Sequence, residues 1–144
     1  MTPLDYDVLT LEVPCTPKYL NVIRLAIAGA ASRAGLTYDD IEVLKQAVGE
    51  ACNNAIDHAF DQRTLDSGQA KIFVTMRVSD GEIRVEVEDK GRGFDPKRVL
   101  EKGRPDPYDR GHGIFIMREL ADDVKIESAP GSGTKVTIVK RATR

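Results

Sequence analysis

Cysteine is scarce in this chain. Only Cys15 and Cys52 are present, far apart and in no metal-ligand spacing. Both read as reduced thiols of a cytoplasmic protein, Cys52 as a small buried side chain. Long apolar runs are missing as well. None approaches the roughly 18 residues of a spanning helix, so no membrane contact is expected. The first residues, Met1-Thr2-Pro3-Leu4-Asp5, lack a basic segment followed by an apolar one, and no secretory signal is expected. Charge of one sign is also missing. The 21 Lys and Arg against 23 Asp and Glu give a net charge of -2, which makes direct nucleic-acid binding a poor default. The basic end, Lys140, Arg141 and Arg144, is short and reads as a solvated tail.

What is present suits a single domain over residues 1–144. That length can bury one core. The 41% hydrophobic and 31% charged residues are an ordinary soluble balance. No internal repeat or low-complexity segment is visible. Leu4 to Val13, rich in Leu and Val, reads as a first strand. Thr16-Pro17 opens a first helix with a capping hydroxyl and a proline in the first turn. Its apolar face is Leu20, Ile23, Ala26, Ile27, Ala30, Ala31 and Ala34, and Gly35 is its stop. Thr37 with Asp40 resembles a capping box and opens a second helix. The stripe of that helix runs from Ile41 through Leu44, Ala47, Val48, Ala51, Cys52 and Ala55 to Ala59.

Asp61 to Gly68 is polar and reads as a loop. Ala70 to Val78 alternates, as do Ile83, Val85 and Val87, and Ser79-Asp80-Gly81 between them is a turn, so a hairpin is expected. Lys90 to Arg110 is rich in glycine and proline, with few apolar residues. A loop of that length in a compact domain is usually functional or mobile. Gly113 to Ala121 reads as a third helix. Val124 to Ser128 and Lys135 to Val139 read as closing strands. Strands do not alternate strictly with helices. The order predicts an α+β two-layer sandwich, a mixed, mostly antiparallel sheet covered on one face by helices.

One face of the second helix is odd. Glu50, Asn54 and Asp57 follow i, i+4, i+7 spacing, with Asn53 and His58 beside them, opposite the apolar stripe. Asn, Asp and His are poor helix formers, so helix stability is a weak reason for them. Three further features follow in order. Asp89-Lys90-Gly91-Arg92-Gly93-Phe94 comes directly after a strand, where two glycines let backbone approach a ligand and a carboxylate can accept from an exocyclic amine. Gly111-His112-Gly113-Ile114 opens a helix, whose free N–H groups attract phosphate. Gly131-Ser132-Gly133-Thr134 precedes the last strand. Each alone has a bland reading as turn chemistry.

In that order, the four boxes resemble those of the histidine-kinase-like ATPase superfamily, which includes gyrase, heat-shock chaperone ATPases and histidine kinases. The resemblance runs from about Val43 to Val139. Within it, Glu50-Ala51-Cys52-Asn53-Asn54-Ala55-Ile56-Asp57-His58-Ala59 and Gly113-Ile114-Phe115-Ile116-Met117 resemble the bacterial anti-sigma factor serine/threonine kinases.

The resemblance implies ATP and Mg²⁺ as cofactors. It gives Asn54 as the Mg²⁺ ligand and Glu50 as the general base for a serine or threonine hydroxyl. Asp89 would accept from the adenine amine, and Thr134 would support Asp89 or a bridging water. Gly91 and Gly93 would let the loop pass close to the nucleotide, and Gly111 and Gly113 would offer N–H groups to the phosphates. Asp57, Arg110 and His112 count among the nucleotide-binding candidates, His112 through its backbone. The resemblance does not fix the roles of Arg104 and Arg110, and His58 reads as structural. It further implies a sigma factor and a small anti-sigma antagonist as protein partners. It also implies a homodimer, to be sought at the first strand and helix. Two other readings stay open from the residues: a non-catalytic ATP-binding module, and a detached catalytic domain of a two-component histidine kinase.

Overall fold

A computed structural model describes residues 5–100 and 110–143, with the side chains of 99, 100 and 110–112 outside the description. The expectations for Leu4, Arg104 and Arg144 therefore lie outside the described residues.

Strand β1 (Asp7–Pro14) leads into a single 3₁₀ turn (Pro17–Tyr19), then helix α1 (Leu20–Arg33) and helix α2 (Tyr38–Asn54). Thr16 caps the 3₁₀ turn through Lys18 N–H, so the capping residue lies one turn before the α-helix itself. Gly35, at φ 89°, ends α1. Its N–H bonds Ser32, and Leu36 N–H reaches Ala31. Those two bonds satisfy carbonyls a helix end otherwise leaves orphaned. The capping box at Thr37 and Asp40 is present in both directions.

Beyond Asn54 the helix continues as one π-helical turn, Ala55–Ala59. The segment expected as a polar loop carries a five-residue helix, α3 (Gln62–Asp66). Asp61 caps it by accepting from Thr64 N–H, and Gln62 braces Asp66 one turn on.

Strands β2 (Lys71–Ser79) and β3 (Glu82–Asp89) form the expected hairpin. A short helix, α4 (Pro96–Leu100), lies within the stretch expected to be irregular. Then come α5 (Arg110–Leu120), β4 (Asp123–Ser128) and β5 (Thr134–Arg141). The sheet order is β1-β2-β3-β5-β4. All four pairings are antiparallel, so the mixed sheet expected from sequence is not seen among the described residues. The β2–β3 and β4–β5 pairs are joined by short turns, which gives antiparallel neighbours.

The alternation of β2 and β3 decides where the core sits. Ile72, Val74, Met76 and Val78 share the inner face with Ile83, Val85 and Val87. The helices cover that face, with α2 packed between α1 and α5. Ile23, Ile27, Leu44, Val48 and Met117 close the layer. Both cysteines are buried free thiols. Burial pushes Cys52 up to about 12 and Cys15 up to about 11, so neither is a ready thiolate.

Candidate functional site

The buried run of β3 ends in a carboxylate. Asp89 continues the positions of Ile83, Val85 and Val87 and is only 6% exposed. A charge there needs polar partners. One is on hand, since Asp89 Oδ1 accepts the N–H of Gly91 at 2.9 Å. Across the sheet, Asp89 pairs with Thr134, and Thr134 with Ser128, so three polar residues share one row of the inner face.

The glycines of the D-x-G-x-G segment have a cause visible in packing. A Cβ on Gly91 would overlap the carbonyl of Ala59, at the end of the π turn. One on Gly93 would overlap the carbonyl of Ala129, and one on Gly133 the carbonyl of Asp89. Hydrogen bonds follow the same seams. Arg92 N–H donates to Ala59 at 2.8 Å, and Gly131 N–H to Arg92 at 2.6 Å. Backbone thus lies against backbone at these glycines, which joins three separate boxes into one surface. The expectation was close approach to a ligand; the approach described is to the chain itself.

The helix boxes meet in the same way. Gly113 lies in the first turn of α5. A Cβ there would sit 3.1 Å from Asn54 Oδ1 and 3.2 Å from Glu50 Oε2. Both side chains of α2 therefore converge on the start of α5, as i, i+4 spacing requires. Arg110 and Gly111 share that first turn, as does His112, and their side chains lie outside the description.

Asn54 and Asp89 line one small cavity with Thr134, Phe94 and Ile114. It holds about 10 Å³, room for about one water. A wider open cleft of about 800 Å³ meets it at Asp89 and Thr134, and is lined also by Lys90, Gly131 and Lys135. The wide cleft lacks Asn54, so the narrow cavity is the one that unites the boxes.

Asp57 is placed elsewhere. It is exposed and lines a separate cleft with Thr16, Phe60 and Arg92. The π turn explains this. Its i→i+5 bonding puts more residues in each turn and rotates Asp57 off the line of Glu50 and Asn54. Ser128 is the site residue that sequence reasoning passed over. Its hydroxyl touches Phe94, Gly133 and Thr134. The only available signal was its place at a strand end before a glycine turn.

Residues 13–140 match the family described as the histidine kinase-like ATPase domain. The chain belongs to that family. Within the family it is 36% identical over 150 residues to the serine-protein kinase RsbW of Bacillus velezensis, covering 96% of this chain and 87% of that one. RsbW of Bacillus subtilis is 33% identical, with 91% and 84% covered. Among solved structures, the RsbU and RsbW domains of a Mycobacterium tuberculosis protein superpose with a TM-score of 0.69 at 20% identity. That match covers 96% of this chain and 33% of the longer one, and it shows the shared fold.

Proposed function

We propose that this chain is an ATP-dependent protein serine/threonine kinase acting as an anti-sigma regulator in the cytoplasm. It binds a sigma factor, restrains transcription through it, and phosphorylates a small antagonist protein. The observation that carries the reading is the convergence of Glu50 and Asn54 on Gly113, with Asn54 also lining the cavity of the strand-end carboxylate Asp89. The serine-protein kinase names of the relatives supply the acceptor class.

The residues present fit Mg²⁺. Asn54 Oδ1 and Glu50 Oε2 are hard oxygen donors bordering the space that Gly113 leaves empty. Among the described residues no group of three or more His, Cys, Asp or Glu could cage a metal. Mg²⁺ suits such a sparse donor set, since it keeps waters and shares phosphate oxygens. Asn54 would hold the ion, which when bound neutralises phosphate charge. Glu50 would take the proton of the attacking hydroxyl, an assistance of typically about 10²–10⁴-fold. Asp89 would accept from the adenine amine. The N–H groups at the start of α5, Gly111 and Gly113 among them, would face the phosphates. Most of the remaining acceleration comes from positioning and charge neutralisation.

The kinase reading is tested by incubating the full chain with Mg-ATP and its antagonist. Acid-stable phosphoserine or phosphothreonine is expected, and its loss in Glu50→Gln with ATP binding retained. Acid-labile phosphate on the partner would instead assign a histidine kinase domain, and antagonist left unmodified would assign a binding module. The same reading includes a homodimer. Its support is edge strand β1, with Val8 and Leu9 exposed, and α1, with Val22 and Leu25 exposed. Monomeric sedimentation at micromolar concentration would oppose it.

A further inference from the structure

Ser128 ends β4 on the inner face, in the row of Asp89 and Thr134. Its hydroxyl meets three groups at once. Phe94 N–H donates to it at 2.9 Å, the Gly133 carbonyl lies at 2.9 Å, and Thr134 Oγ1 at 2.8 Å. A serine hydroxyl has one proton and two lone pairs. The Gly133 carbonyl can only accept. If Ser128 turned its proton toward Thr134, its oxygen would face the carbonyl at 2.9 Å with no hydrogen between them. Only one arrangement makes all three contacts bonding. Phe94 and Thr134 donate to Ser128, and Ser128 donates to Gly133. Thr134 has then used its proton. What it offers the cavity beside Asn54 and Asp89 is lone pairs alone.

We propose that Ser128 is a specificity-determining positioning residue. By fixing the Thr134 proton, it makes the end wall of the base pocket acceptor-only, which selects a purine bearing an amine and rejects one bearing a carbonyl. Adenine carries an amino group at that ring position and guanine a carbonyl oxygen. Ionised Asp89 is likewise acceptor-only, so the two side chains act in the same sense. A wall built to receive donors rejects an analogue without one, because both partners are left unpaired. The inference rests on the ATP reading of this pocket and adds the group that sets the polarity of Thr134.

The test is the affinity of ATP and of GTP, measured by calorimetry with Mg²⁺ on the full chain. The wild type is expected to prefer ATP. Ser128→Ala releases the Thr134 proton to turn into the pocket, and the ATP-to-GTP preference falls about tenfold, with GTP binding strengthened. Ser128→Thr keeps a hydroxyl and keeps the preference. Thr134→Val weakens ATP without strengthening GTP, and the double variant S128A/T134V matches Thr134→Val. Should Ser128→Ala fail to fold, Ser128→Cys, a weaker donor of similar shape, is expected to shift the preference in the same direction. Equal weakening of both nucleotides in Ser128→Ala or Ser128→Cys would overturn the proposal, as would an unchanged ratio in those two variants. A wild type with no preference for ATP would overturn the reading of the pocket itself.

Discussion

Gly113 sits so close to the Asn54 side chain that a methyl group there would press on it. A Cβ would lie 3.1 Å from Asn54 Oδ1 and 3.2 Å from Asn54 Nδ2. Gly113 has no positive φ, so its backbone does not require glycine. On helix propensity alone, alanine would be better there by about 1 kcal/mol. Two effects of opposite sign follow for Gly113→Ala. The melting temperature is expected to hold or rise. Mg-ATP affinity is expected to fall about tenfold or more, because Asn54 and Glu50 must both give way. Paired calorimetry and thermal melts check this. A fall in stability that tracks the loss of binding would show that the glycine serves packing only.

Much of the fold can be read from periodicity. The alternation of β2 and β3 survives position by position, down to Asp89 at the end of the buried run. The stripe of α2 is buried from Leu44 through Cys52. What periodicity misses depends on partners distant in sequence. Asp57 fits the i, i+7 rule for a straight α-helix, but nothing local announces the π turn that rotates it away. Gly91 reads as a ligand contact until Ala59, thirty-odd residues earlier, is seen to occupy the space. Ser128 is an ordinary strand end in sequence. Its three contacts exist only because the D-x-G-x-G segment and the last glycine turn are folded onto β4. The site was legible as residue types in order, whereas the hydrogen bonds that orient them were not.

Leu25 is 74% exposed on α1, and Val22 on the same helix is exposed as well. Strand β1 is an edge of the sheet with Val8 and Leu9 exposed. Unpaired edges invite strand addition unless charge or cover prevents it, and apolar groups gathered on a surface favour association. Leu25→Glu adds a charge to that helix face without touching the core. The wild type is expected to sediment as a dimer at micromolar concentration and Leu25→Glu as a monomer, with ATP affinity retained. Monomeric wild type would overturn the dimer, and a variant that stays dimeric would place the contact on another surface.

Asp40 does more than cap α2. It is 6% exposed and accepts from both the N–H and the hydroxyl of Thr143, while its own capping bonds to Thr37 persist. Lys140 Nζ lies 3.8 Å away. The chain end is thereby tied to the helix that carries Glu50 and Asn54. The hydrogen bonds from Thr143, and then those from Thr37, hold the carboxyl at about 2, against an ordinary 3.8; desolvation opposes them. A depressed carboxyl stabilises the fold above its unfolded value. That stabilisation is complete above about pH 5, and it is lost as pH falls through 3.8 toward 2. Asp40→Asn keeps the shape but loses the charged acceptor. It is expected to cost about 1–2 kcal/mol at pH 7. Urea unfolding of both proteins between pH 7 and pH 2 measures the difference, which should shrink through that window and approach zero at its lower end. A gap that stays constant with pH would mean that the Asp40 charge contributes nothing and that the lost acceptor oxygen alone weakens the tie to Thr143.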